Sequence, residues 1–462
     1  MARHLLELRI FEIRSNAINS LITQHFRLPN QLPTKMRPSA KQFFSLLTMT
    51  GCAIAQQVVA QENRKESLAG ESSAMRSKRA EDPAGYNLHW GPASFSFSAS
   101  LRGEFNDNVL GAKANPKADL MFNPEVRLGG IWPITALNTL SMSLGVGAQE
   151  FVESSVLSSD VPLISPDSEL AFQLYTGDFR IRFRDRFTYQ ESIYYQDAFS
   201  RTTGDFVNLN DIGKFGRFEN VAGVTADWDK NNLVLTMAYD HNDFIAFLDQ
   251  LNYLTRQSEN LALTATFSGK ARIRYGAEFK GSYNNYEENI ISDHERARLG
   301  PFLDVVISPR LSFRLGSGYD GVYLANNPNP LGQEQLHGYY AYGTVSHALN
   351  RLVSYYLGAG HENRLGWQNP NAEATYVELG SAWTVLRNTT LNQYLRFADA
   401  EEQGGRRDQA YTALQLGVRL EWTFAKRWSA QASYDFTSVA NSTYTFNSYD
   451  QQRIGLGTRF RF

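Results

Sequence analysis

Arg180, Arg182, Arg184 and Arg186 stand at alternate positions in the stretch RIRFRDRF. In an extended chain alternate side chains share one face, so this spacing lines up four guanidinium groups along one strand. Facing a water-filled passage, such a row raises the local concentration of anions. Arg272 and Arg274, and later Arg314, stand in stretches of the same alternating kind. All seven are candidate pore-lining groups. Acids fall on the same faces, among them Glu125, Glu219, Asp227, Glu278, Asp304 and Asp320. The plainer role for the arginines is therefore to pair with carboxylates across strands and hold a wall together.

Other chemistry finds less support. Asp240-His241-Asn242-Asp243 has the residue types of a barrel-mouth hydrolase. Neighbours along a strand point to opposite faces, however, so Asp240 is badly placed to orient His241. His89, His294, His337, His347 and His361 are scattered, without metal-ligand spacing. There is no phosphate-binding loop, no GxGxxG after a strand and no CxxC pair, and no cofactor is implied. Tyr194, Tyr195, Tyr283, Tyr286, Tyr339, Tyr340 and Tyr342 could stack sugars, but the favoured reading is an interfacial aromatic girdle. The seven tryptophans read the same way.

The elements that must position these groups have a period of two. Phe95, Phe97, Ala99 and Leu101 alternate with serines and Arg102. Leu414, Leu416, Val418, Leu420, Trp422 and Phe424 alternate with Gln415, Gly417, Arg419, Glu421 and Thr423. The pattern continues to the last residue and predicts strands of about 10–15 residues, long for a soluble sheet and right for a tilted membrane crossing. One face is Leu, Phe, Val and Trp; the other is Gly, Ser, Thr and charge. Lipid outside and water inside satisfy both faces, and closure leaves no strand edge unpaired. On the apolar face of RIRFRDRF, Asp185 is out of place. A bulge, a raised strand or a covering subunit would each account for it, and a homo-oligomer contact is favoured.

Punctuation sets the strand number. Short turn signals at 229, 269, 309, 350, 387 and 426 are spaced by 40, 40, 41, 37 and 39 residues, with longer polar stretches between them. Two earlier turns are read near 132–138 and 177–178. Eight short turns, with both ends of the barrel on one side, predict a closed antiparallel up-and-down transmembrane β-barrel of 18 strands over residues 93–462.

The chain ends Arg459-Phe460-Arg461-Phe462, apolar at every second position. This resembles the final strand of bacterial outer-membrane β-barrel proteins, and the layout is similar to β-barrel porins. The resemblance implies that Phe460 and Phe462 belong to a signal read by the barrel-assembly machinery, in an envelope of the Gram-negative type. It implies a channel for passive diffusion of small solutes. The alternatives are a dedicated polysaccharide export or import barrel, since exopolysaccharide secretion pores are of similar size, and a plugged structural or adhesive barrel.

The N-terminal text is an address. From Met36, Arg37 and Lys41 precede an apolar run from Phe43 to Ala55, and Ala53-Ile54-Ala55 and Val58-Val59-Ala60 both offer small residues for cleavage. This predicts a secretory signal within residues 1–60, with residues 1–35 either an extended basic region or, as favoured, a start-codon artefact. Met49-Thr50-Gly51-Cys52 loosely resembles a lipoprotein box, with Cys52 the only cysteine. Residues 61–92 carry five acids and five bases without periodicity, and are expected to be a flexible periplasmic segment.

Composition agrees. At 42% hydrophobic and 20% charged, the chain of 462 residues is too apolar for disorder and too polar for a bundle of membrane helices. The net charge of −2 combines +5 over residues 1–60 with −7 over the rest, which argues against nucleic acid as a partner. The partners expected are outer-membrane lipid and small solutes or saccharides.

Overall fold

Alternation builds one continuous antiparallel sheet. The computed structural model describes residues 86–192, 215–230, 232–247, 249–268, 272–288, 291–325, 335–364, 369, 371–403, 408–443 and 448–462. Residues 1–60, where a secretory signal is expected, residues 61–85, Lys270, Tyr194, Tyr195 and Trp367 lie outside the described residues. The wall begins with β1 (Ala93–Asn106), β2 (Asp119–Pro133), β3 (Asn138–Gly147), β4 (Glu169–Thr176), β5 (Phe179–Ser192) and β6 (Phe215–Lys230). It continues through β7 (Leu233–Ala246), β8 (Arg256–Ser268), β9 (Ile273–Tyr286), β10 (Asp293–Ser308), β11 (Leu311–Ala325) and β12 (Gln335–Ala348). The remaining strands are β13 (Val353–Arg364), β14 (Asn371–Leu386), β15 (Thr389–Gln403), β16 (Gln409–Ala425), β17 (Trp428–Asn441) and β18 (Tyr449–Arg461).

Each strand pairs with its neighbours in sequence, and β18 pairs with β1 from Ser98↔Arg461 to Asn106↔Arg453. The ring is therefore closed at 18 strands, and its hydrogen-bonding edges are consumed. Three short pieces join the same sheet: Glu150–Phe151, Leu163–Ile164 and Leu88–Trp90. The last folds back on β1 through Gly91, whose φ of +58° suits a residue without Cβ. The segment expected to be flexible is thus part of the sheet over its final residues.

Eight short turns lie at one end of the ring and nine longer connections at the other. The turn between β4 and β5 is only Gly177-Asp178, with Gly177 at φ +56°. Register shifts occur at Val306/Ser308, Thr384/Leu386 and Thr423/Ala425, all at the turn end. There a bulge bends the strand without disturbing the wall above.

Parity holds around the whole ring. Phe97, Val126, Phe183, Met237, Leu263, Leu299, Leu315, Leu357, Val377, Leu420 and Leu456 are exposed on the outer face. Trp132, Trp383, Trp422 and Trp428 are exposed in an outward band near the short turns, joined by half-buried Trp228 stacked on Phe179, as a girdle requires. Inside, burial differs by level. Toward the long connections, inward side chains such as Glu104, Asn106, Met121, Phe244, Asp320, Tyr376, Ala398, Glu402 and Gln451 are buried. An apolar cluster there joins Met121, Phe244, Tyr286, Tyr376, Tyr411 and Tyr449 to Val109, Leu157, Leu254 and Ile291 of the connections. Toward the short turns, inward Arg459, Arg461, Ser346 and Tyr394 are exposed.

Candidate functional site

The candidate site is the inward wall, where parity puts the arginines. On β5 the alternation of RIRFRDRF aims all four the same way. Arg180 Nε donates to Asp227 Oδ2 at 2.8 Å, and Thr236 Oγ1 donates to the other oxygen of Asp227 at 2.7 Å. Arg182 pairs with Glu169 on β4. Arg184 Nη2 reaches both oxygens of Asp240, two strands away, at 2.8 and 2.7 Å. Arg186 is buried within electrostatic reach of Glu219 and Asp240. The row is thus brought together, but its charge is largely answered by acids of the same wall. Arg182 keeps the most exposure, 40% of its side chain.

A second cluster spans β9 to β12. Arg314 lies 3.5 Å from Glu278 and 3.6 Å from Asp304, with its Nε donating to Tyr342 Oη at 3.1 Å. Tyr342 in turn donates to Glu278 at 3.3 Å, and Arg274 approaches Asp304 at 3.8 Å. Arg272 stands apart. The spacing placed it on the wall with Arg274, but β9 begins at Ile273, and Arg272 is exposed in the preceding turn. The period of two continued one residue past the strand's real start.

The sequence did not single out a third cluster, on β10 to β15. Arg296 makes two parallel bonds to Asp320, Nε to Oδ1 at 2.9 Å and Nη2 to Oδ2 at 2.8 Å. Arg298 reaches Glu362, three strands away, at 3.3 Å and stacks on Tyr340 with 3.7 Å to the ring centre. Arg364 bonds Glu362 at 2.8 Å, and the Tyr376 ring lies within 5.0 Å of Arg364 and 5.4 Å of Arg396. Guanidinium groups stacked on rings and bonded at the edge are held rigidly. Tyr342 and Tyr376 lie flat over Gly316 and Gly360, their register partners on the adjacent strands, where any side chain would collide with the ring. These glycine–tyrosine pairs were the available signal.

Tyr286, Tyr340 and Tyr342 are therefore corrected: they are buried inside the ring, not in an outward girdle. Tyr283 and Tyr339 do face out and are exposed. Adjacent residues of one strand cannot both face lipid, which separates Tyr339 from Tyr340.

Among the described residues, Arg256 is the buried inward arginine without a carboxylate, lying 4.6 Å from the Phe244 ring centre and 6.0 Å from that of Tyr286. Beside it Ser258 Oγ donates to Asn284 Oδ1 at 2.6 Å, and Asn284 Nδ2 lies 3.0 Å from His294 Nε2.

Asp240 and His241 separate as expected. Asp240 faces in toward Arg184, while His241 faces out, 3.2 Å from Asp243 and 2.8 Å from Glu259. Asp185 also faces out, is exposed, and accepts a hydrogen bond from Asn220 Nδ2 at 2.6 Å. The β5–β6 register is unbroken through Asp185, so no bulge turns it inward.

At the seam, Phe460 and Phe462 both face out. Phe460 packs on Trp428 at 4.8 Å between ring centres and Phe462 on Phe97 of β1 at 4.7 Å. The Phe462 N–H donates to Phe97 O at 3.0 Å. The last residue therefore clasps the two ends of the ring.

A closed antiparallel ring with an apolar outside, a polar inside, short turns at one end and long connections at the other is an outer-membrane β-barrel. No family model and no curated protein matches the chain. Among solved structures it is similar to OpdK of Pseudomonas aeruginosa with vanillate, at 9% identity and a TM-score of 0.45, covering 80% of this chain and 99% of that one. It is similar to OccAB3 of Acinetobacter baumannii at 12% identity and a TM-score of 0.44, covering 80% and 99%. For OmpT of Vibrio cholerae the values are 11%, 0.36, 81% and 99%.

Proposed function

We propose that the protein is a porin-like channel for passive diffusion of small solutes, with a weak preference for anions. The observation that carries this reading is the ring itself: 18 strands closed edge to edge, with charged and polar side chains such as Arg182, Asp227, Arg314 and Asp320 directed inward. A ring of that size encloses an aqueous lumen wherever its own side chains do not fill it. The exposed turn-end half supplies the wide part, and the packed connection end supplies the constriction. The anion preference rests on Arg182, Arg419, Arg459 and Arg461. The last three have no ion pair among the described residues. The buried arginines define the wall's shape and contribute little net charge. Saccharide stacking receives less support, because the inward tyrosine faces are already taken by arginines and glycines.

Reconstitution in a planar bilayer under a salt gradient tests the reading. Stable conductance steps with a reversal potential on the anion side are expected. A folded barrel that carries no current would overturn it.

A further inference from the structure

The short turns of the ring are not alike. Five consecutive ones, from the β8–β9 turn to the β16–β17 turn, carry Arg272, Arg310, Arg351, Arg387 and the pair Lys426-Arg427. None of these five contains an acid. These six basic groups are exposed, and none has an ion pair among the described residues. The three earlier turns differ: two carry no charge, and the third holds Asp178, which pairs with Lys230 at the end of β6 at 2.9 Å. The basic groups thus form an arc along one side of the rim, not a full collar.

Each turn of the arc also has bulky apolar side chains beside its cations. Ile273 adjoins Arg272, Ile307 precedes Arg310, Leu349 and Leu352 flank Arg351, Leu386 adjoins Arg387, and Phe424 and Trp428 flank Lys426-Arg427. All of these are exposed. Apolar anchors of this kind mark the edge of the hydrocarbon layer, and a cation beside them sits at the level of lipid phosphates. Short turns of such barrels face the periplasm, so the layer in question is the inner leaflet.

We propose that this arc binds anionic phospholipid headgroups of the inner leaflet. Charge complementarity and continuity with the aromatic band select lipid over a soluble partner. A protein docking from the periplasm would leave the apolar anchors unused. Each rim cation offers charge-assisted hydrogen bonds to a phosphate, and Arg does so through a planar fork. Attraction of this type adds up along a polybasic stretch and is screened by salt.

The test uses the full chain, folded into nanodiscs that mix zwitterionic with phosphatidylglycerol-type lipid. After gentle extraction, co-retained lipids are counted by native mass spectrometry. Wild type should retain the anionic lipid preferentially. Replacing Arg310→Gln, Arg351→Gln, Arg387→Gln and Arg427→Gln together should lower that preference at least about tenfold. The same four positions changed to Lys should keep most of it, and Lys230→Gln outside the arc should leave it unchanged. Barrel content by circular dichroism verifies that each variant is folded. An equal preference in wild type and the Gln variant would overturn the proposal, as would no preference in wild type. Capture of an acidic periplasmic protein by the arc, with lipid retention unaltered by the Gln changes, would do the same.

Discussion

The connection-end half of the barrel and its turn-end rim use the same residue, arginine, in opposite ways. Inside the connection end, Arg296, Arg298 and Arg364 are buried or half-buried, bonded to Asp320 and Glu362, and Arg298 and Arg364 are stacked on tyrosines. At the rim, Arg310, Arg351 and Arg387 are exposed and have no ion pair among the described residues. A guanidinium away from bulk water costs several kcal/mol unless it is answered, by a carboxylate at the three inside or by ring faces at Arg256. One at the headgroup level is answered by solvent or lipid. The first kind builds a wall of fixed shape, and the second leaves charge available to what approaches.

The largest effect should follow from breaking a buried pair. Asp320 is fully buried and accepts both bonds from Arg296. Asp320→Ala should destabilise the barrel by roughly 3–5 kcal/mol, because Arg296 is left uncompensated. Denaturant titration of the folded protein in lipid measures this. Arg351→Ala at the rim should change stability by no more than about 0.5 kcal/mol. Similar losses at the two sites would erase the distinction between the regions.

Deletion of Phe462 comes next. It removes the Phe97 contact and the final backbone bond at the seam, and should reduce insertion into the outer membrane severalfold while export across the inner membrane continues. Fractionation with a heat-shift gel would reveal it, and normal levels in the outer membrane would refute the clasp.

Ion selectivity sharpens the comparison further. Arg459→Glu with Arg461→Glu should move the reversal potential toward cations more than Arg180→Gln does, since Arg180 is already neutralised by Asp227. Changing Arg182→Glu and Arg184→Glu together should produce an intermediate shift, from exposed Arg182. The opposite ranking would place the selective part of the lumen at the buried row.

The smallest expected effect concerns Asp185. A carboxylate on an outer face, bonded only to Asn220 among the described residues, fits a covered surface. Asp185→Ala should lower recovery of an oligomer in mild detergent without altering circular dichroism. A wild-type protein that is monomeric under the same conditions would dispose of the contact.

Much of this was legible in the sequence. The alternation of Leu414 to Phe424, the evenly spaced turns and the terminal Arg459–Phe462 suffice for the number of strands, the two faces and the seam, because parity in a strand is strict. Pairing was not legible. Arg184 meets Asp240 two strands on and Arg298 meets Glu362 three strands on, which depends on register and side-chain reach, not on distance along the chain. Nor was the end of a pattern. Arg272 shares the parity of Arg274, yet the strand starts between them. Tyr340 is a different case: its residue type fits a girdle, and only its parity relative to Tyr339 turns it inward.

The most direct test of the central claim is single-channel recording of the purified, folded barrel in a planar bilayer, comparing wild type with the Arg459→Glu, Arg461→Glu variant. A conducting lumen wide at the turn end predicts stable steps in both, with a weak anion preference that weakens or reverses in the variant. A folded wild type that passes no current, or a selectivity indifferent to the two charges, would contradict it.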